Sequence, residues 1–150
     1  MIRATLDTNV IVSGLAGLDV PTSTPGIIML QGLSGTFELV ISSAILAEVE
    51  RTLNKPYFRS HSSSELIRGA FVSVVETATF VLPTITVAGI ATHTEDDLIL
   101  ATAVSGRVDY LVTGDRMLLQ LGEYQGAHLI SPRDFLNSLE AYARAQPEWT

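Results

Sequence analysis

Hydrophobic and polar positions change period repeatedly along the chain. Residues 2–6 form an apolar run that stops at an acid, Asp7, and resumes as a helical pattern over residues 8–17, closed by Gly14 and Gly17. Such a run reads as a strand wet on neither face, the kind found inside parallel sheets, where ligands collect beyond the carboxyl ends of the strands. Residues 19–26, with Pro21 and Pro25, read as a loop, and 26–32 as a second helix. Residues 37–41 are strand formers that end at Ser42 and Ser43, a capping pair for a helix that runs to about Asn54, because Pro56 makes Lys55 a poor helical residue. Ile45, Leu46, Val49 and Leu53 make its core stripe. Glu48 and Glu50 fall on the two flanks of that stripe, and helical spacing alone does not choose between them.

The polar stretch 60–64 reads as a loop, and Ser62 with Glu65 has capping-box spacing into a helix through about Val75. Residues 77–87 alternate like an edge strand or irregular β segment, with Pro83 keeping them off the sheet centre. Glu95, Asp96 and Asp97 then open a helix whose apolar period runs through Ile99, Leu100, Ala103 and Val104. On that period Asp96 lies nearest the centre line of the buried face and Asp97 toward its edge. A strand over 109–113 runs into Gly114 and a further acid, Asp115. A short helix over 116–120, a last strand over 127–130 and a helix from Ser131 to about Ala145 complete the chain, with 146–150 loose. This order points to an α/β fold, a three-layer α/β/α sandwich with a mainly parallel central sheet.

Composition narrows the chemistry. The 150 residues, 47% of them apolar, fit one domain over 1–150 with a sizeable core, and no cysteine is present for disulfides, thiolate nucleophiles or zinc–thiolate sites. His61, His93 and His128 show no metal-ligand spacing. The acid at Asp7 interrupts any signal-peptide core, and residues 67–91 are broken by Glu76 and Pro83, so no membrane segment is expected and the protein reads as soluble and cytoplasmic. A net charge of −7 ordinarily argues against a nucleic-acid partner, yet acids that converge on divalent cations invert the local field.

Asp7 and Asp115 end two strands, Asp96 begins a helix and Glu48 lies within another. Each also has an ordinary structural explanation: Asp7 as an N-cap, Glu48 as a solvated charge, the acids at 95–97 as first-turn residues favoured by the helix dipole. Four carboxylates gathered in one cleft repel one another unless a cation neutralises them, and hard divalent ions such as magnesium or manganese suit oxygen ligands. Such a site suits phosphodiester hydrolysis.

The stretches around Leu6-Asp7-Thr8-Asn9, Ala44-Ile45-Leu46-Ala47-Glu48, Asp96-Asp97-Leu98-Ile99 and Val112-Thr113-Gly114-Asp115 resemble, in order and spacing, the acidic blocks of PIN-domain ribonucleases. The segment from Ile130 to Leu136 is similar to the tail of a bacterial branch of toxin components of toxin–antitoxin systems. The resemblance implies a PIN-like fold and a magnesium- or manganese-dependent endoribonuclease acting on single-stranded RNA. It further implies Asp7, Glu48, Asp96 and Asp115 as the acidic quartet, with Asp97 as the alternative to Asp96. Asn9, Ser13, Thr113 and Arg116 are expected to line the site, and a cognate antitoxin protein and a homodimer are the expected assemblies. His93 and Thr94 stand where this branch commonly has an aspartate–proline pair.

Other classes fit less well. A phosphoacceptor receiver domain needs a lysine after a late strand, whereas the one lysine here is Lys55, and neither a P-loop nor a Gly-x-Ser-x-Gly motif occurs. The competing reading is a PIN-like module that binds RNA or a partner protein without cutting.

Overall fold

The computed structural model describes residues 1–61, 64–84 and 94–146, with residues 60, 61, 64 and 94–96 described by backbone alone. Strand β1 (Arg3–Leu6) leads into helices α1 (Thr8–Ala16) and α2 (Thr24–Leu33), and β2 (Glu38–Ile41) into α3 (Ser43–Leu53), α4 (Pro56–His61) and α5 (Ser64–Thr77). A two-residue strand β3 (Thr79–Phe80) precedes α6 (Thr94–Ser105). Strand β4 (Tyr110–Val112) is followed by α7 (Arg116–Leu121), β5 (Glu123–Tyr124), β6 (Ala127–Ile130) and α8 (Pro132–Ala145). The sheet order is β3-β2-β1-β4-β6-β5, parallel throughout except where β5 pairs antiparallel with β6.

Successive residues of a strand face opposite sides of the sheet, and Ala4, Thr5 and Leu6 are all buried, so both faces of β1 are covered. Helix α6 lies across β1, β2 and β4, while α1 packs on α2 and α3, and α8 on α2 and β4. The expected α/β/α layering follows from this. Phe135 of α8 is fully buried and meets Phe37 edge-on at a ring separation of 5.1 Å, tying the chain's last helix to the core beside β2. Among the described residues no helix is long and apolar enough to cross a membrane.

Strand β1 is central, with β2 on one side and β4 on the other. The chain builds outward from β1 through β2 to β3, then returns to place β4 on the opposite side. The strand order therefore reverses between β1 and β4, and a crevice at the carboxyl ends of those two strands is where ligands bind in sheets of this kind.

Several boundaries differ from those expected. Gly14 does not close α1: it is buried inside the helix, where a Cβ would come within 2.8 Å of the Pro25 carbonyl oxygen of α2. Glycine there permits close helix–helix approach; Gly17 supplies the C-cap. Helix α2 begins within the expected loop, because Ser23 caps it by accepting from the Gly26 N–H at 3.0 Å and Pro25 fits its first turn. Pro56, read only as a stop, starts α4, which takes in part of the expected 60–64 loop; Ser62 lies outside the described residues. Thr77 is the last residue of α5, and regular β structure is confined to Thr79 and Phe80, with 81–84 irregular and 85–87 outside the described residues. Strand β5 was missed altogether. Its turn to β6 is made by Gln125 and Gly126, both with positive φ, 46° and 91°, a two-residue hairpin geometry that usually announces itself as Asn-Gly or Asp-Gly.

The amino end of the central strands carries its own polar cluster. Arg3 donates to Glu38 at 2.6 Å and, through Nη2, to the Gly106 carbonyl at 2.6 Å, while its backbone N–H reaches Asp109 at 2.9 Å. Thr79 donates to the other Glu38 oxygen at 2.8 Å. These bonds join β1, β2, β3 and the end of α6.

Candidate active site

Asp7 follows the last residue of β1, and its N–H donates to the Val112 carbonyl at 2.9 Å, carrying the β1–β4 pairing one residue further into the crevice. Its side chain does two jobs. Oδ1 accepts from the Thr8 N–H at 2.8 Å, capping α1, and Oδ2 accepts from the Thr113 hydroxyl at 2.8 Å. Thr113 is fully buried, and its hydroxyl oxygen in turn accepts from the Asp115 N–H at 3.0 Å. One threonine thus links the acids that end β1 and β4. The Asp115 carboxylate caps α7, accepting from Met117 N–H at 2.8 Å and Leu118 N–H at 3.2 Å.

Glu48 enters from α3, where its Oε2 accepts from the Thr8 hydroxyl at 3.2 Å. Position 48 is half-buried, whereas Glu50 is exposed and lines a separate groove between α3, α4 and α5. Thr8 was not anticipated as a site residue. The signal available was a hydroxyl directly after a strand-ending acid, at the first position of a helix.

The electrostatics of Asp7 follow from this packing. Burial pushes its pKa above the ordinary carboxylate range; the Thr113 and Thr8 hydrogen bonds pull against that shift, and the like charges of Asp115 and Glu48 add to it. Among the described residues no cation is one of the groups that act on it. The fields of two carboxylates from two other elements therefore meet at Asp7, although among the described residues no group of three or more acid or histidine side chains is arranged as a ready metal cage.

The fourth expected acid, Asp96, lies in the first turn of α6, and its side chain is outside the described residues. Asp97 is buried, with 9% of its surface exposed, where the helical period placed it toward an edge. Val104 is only half-buried, while Ala101 and Thr102 join Ile99, Leu100 and Ala103 in the core. Helix α6 is buried on nearly every side, so its period carries little information about which acid faces the crevice. Asn9 and Ser13 are exposed one turn apart on α1, and Arg116 is exposed at the first position of α7, beside Asp115.

A family model described as the PIN domain matches residues 3–117, and the chain belongs to the PIN-domain family. PIN domains are generally nucleases that use divalent metal ions. No curated protein matches the sequence. Among solved structures the chain is similar to VapBC2 from Rickettsia felis, solved bound to a DNA fragment from their promoter, with a TM-score of 0.57 and 16% identity over 87% of this chain and 98% of that one. It is likewise similar to PAE2754 from Pyrobaculum aerophilum, with a TM-score of 0.58 and 18% identity over 93% of this chain and 90% of that one. At these identities the likeness is one of fold.

Proposed function

We propose that the chain is a metal-dependent endoribonuclease, one PIN-like domain over residues 1–150, that hydrolyses phosphodiester bonds of single-stranded RNA. The observation that carries this reading is Asp7: a half-buried carboxylate at the switch point of the sheet, pressed by two further acids and, among the described residues, by no cation. Hard oxygen donors that crowd without a counter-charge fit magnesium or manganese. Asp7, Glu48, Asp115 and Asp96, with Asp97 as the alternative to Asp96, are the residues proposed to hold it.

When bound, the ion supplies the positive charge that acidifies an attacking water and offsets charge developing on the phosphoryl group. The chain's own residues do the rest. Thr113 fixes one oxygen of Asp7 and the backbone of Asp115 relative to each other, and Thr8 fixes Glu48, so the carboxylates are oriented before substrate arrives. Asn9, Ser13 and Arg116, exposed around the crevice, are suited to hydrogen-bond RNA phosphate and sugar oxygens. Water adds to phosphorus as the bond to the leaving ribose oxygen breaks; a water proton is released to solvent and the leaving oxygen takes a proton from solvent, giving a phosphate monoester and a free ribose hydroxyl.

The biological setting belongs to the same proposal: a toxin component acting in the cytoplasm, restrained by a cognate antitoxin protein and assembling as a homodimer. The likeness to VapBC2, solved on promoter DNA, supports the antitoxin part. Incubating the purified protein with a panel of single-stranded RNAs, with and without magnesium or manganese, tests the activity; cleavage is expected only with metal. A non-cleaving RNA- or protein-binding module is the second reading, favoured by the lack of a ready metal cage among the described residues. RNA binding without cutting in either ion selects it.

A further inference from the structure

An apolar hollow of about 630 Å³ opens beside the acidic crevice, between the start of α3, the end of β3 and the start of α6. Its walls include Phe80, Leu82, Pro83 and Leu98, with the buried Ser42 and the exposed Ser43 around the start of α3. Among the described residues no charged side chain lines it. Phe80 and Leu82 are 42% and 81% exposed, an unusual display of large apolar surface in a short edge strand and the turn after it. The hollow lies next to the crevice in the fold. Extending the β1–β2 register from Ala4 and Leu39 sets Asp7 opposite Ser42, and Leu98 directly follows Asp97 in α6.

We propose that this hollow is a nucleobase subsite, in which a base of the RNA strand next to the bond being cut stacks on the ring of Phe80. The proposal rests on the ribonuclease reading above and names how that site would grip its substrate. The division of labour follows from charge. A phosphate belongs in the acidic crevice once a cation is there, and a flat, uncharged base belongs against the apolar side chains of Phe80, Leu82 and Leu98. The volume is within the range of small-ligand pockets, and aromatic stacking is the usual way single-stranded nucleic acid is held with little demand on sequence. Leu82 and Leu98 close the sides of the stack, and the exposed Ser43 hydroxyl offers a hydrogen bond to the base edge.

The test uses a short single-stranded RNA carrying one 2-aminopurine, whose fluorescence is quenched on stacking, and the same RNA with that position abasic. Affinity is measured in calcium, which supplies divalent charge to the crevice, and the RNA is checked for intactness after each measurement. Phe80→Ala is expected to weaken binding of the 2-aminopurine RNA about tenfold or more, Phe80→Trp to restore it, and Leu82→Ser to weaken it less. Removing the base should cost wild type as much as removing the ring, and should cost Phe80→Ala almost nothing further, because the two changes delete one contact. Phe80→Leu matching wild type, or ring and base losses that simply add, overturns the subsite and marks an apolar contact for something other than a base. A parallel cleavage assay in magnesium separates the two claims. Coupling without cleavage keeps the subsite and removes hydrolysis, cleavage with Phe80→Ala at wild-type affinity does the reverse, and no RNA binding at all removes both.

Discussion

Two acid clusters stand at opposite ends of the central strand and are built on opposite principles. At the amino end, Glu38 and Asp109 receive hydrogen bonds from Arg3, and Thr79 adds another to Glu38. The Thr79 bond and the Arg3 guanidinium hold the Glu38 carboxyl below its ordinary range. At the carboxyl end, Asp7 has hydroxyl and amide partners and, among the described residues, only carboxylates as charged neighbours, and its pKa is raised, chiefly by burial. Where acids serve the fold, the chain supplies its own counterion. Where they crowd the switch point, the proposed counter-charge is a bound cation.

The largest effects should follow from removing charge at the carboxyl end. Asp7→Asn, Asp115→Asn and Glu48→Gln are each expected to lower kcat/KM on single-stranded RNA by about a hundredfold or more, since each removes a proposed metal ligand. Glu50→Gln, exposed and on the far groove, should stay within about twofold of wild type. For α6, Asp96→Asn should fall with the first group and Asp97→Asn should retain much of the activity; the reverse ranking moves the ligand role to Asp97.

A middle-sized effect is expected at the amino end, on stability alone. Arg3→Ala strips the Gly106 carbonyl and Glu38 of their guanidinium and should cost about 1 kcal/mol in denaturant unfolding, given the partial exposure of the pair. RNA cleavage should be unchanged. A loss of cleavage at constant stability would mean the two ends are not independent.

The smallest effect is a contrast in pH dependence, and its two halves have opposite signs. Asp7 has a folded pKa above its unfolded one, so the folded state binds more protons across that window. Its contribution is present at low pH and lost as pH rises through the folded value. Glu38 has a folded pKa below its unfolded one, so its contribution is present above the ordinary carboxylate range and lost as pH falls through the folded value. Melting curves in chelator should therefore show Asp7→Asn flattening a decline toward neutral pH, and Glu38→Gln flattening a decline toward acid.

Much of this was legible in the residues because it depends on local pattern. The apolar run 2–6 ending at Asp7 and the segment around Tyr110 and Val112 ending at Gly114 and Asp115 gave the central strands and the acids at their ends. Ser42 before an amphipathic stretch gave α3 and its cap. What stayed hidden depends on tertiary context. Helical spacing left Glu48 and Glu50 equal, and only the approach of Thr8 across α1 and α3 sets them apart. The period of α6 says little about Asp96 and Asp97, because the described part of that helix is buried on nearly every side and Asp97 is buried despite its phase. Pro25 and Pro56 read as breakers yet occupy first turns, where a missing N–H costs nothing. The β5–β6 hairpin turns on a Gln with positive φ, a conformation its sequence does not advertise.

The central claim, that the crowded carboxylates around Asp7 await a cation, is tested most directly by thermal melting of wild type and Asp7→Asn at neutral pH, in chelator and in magnesium or manganese. Asparagine keeps the capping oxygen for the Thr8 N–H and removes one repelling charge, but its amide nitrogen gives up the bond accepted from the Thr113 hydroxyl. The two changes oppose each other, and the variant should melt close to wild type in chelator. Wild type should gain several degrees with either ion, equivalent to about 2.7 kcal/mol at a hundredfold excess over Kd, and Asp7→Asn should gain almost none of it. Wild type that ignores both ions, or a variant stabilised by them as fully as wild type, would contradict the account.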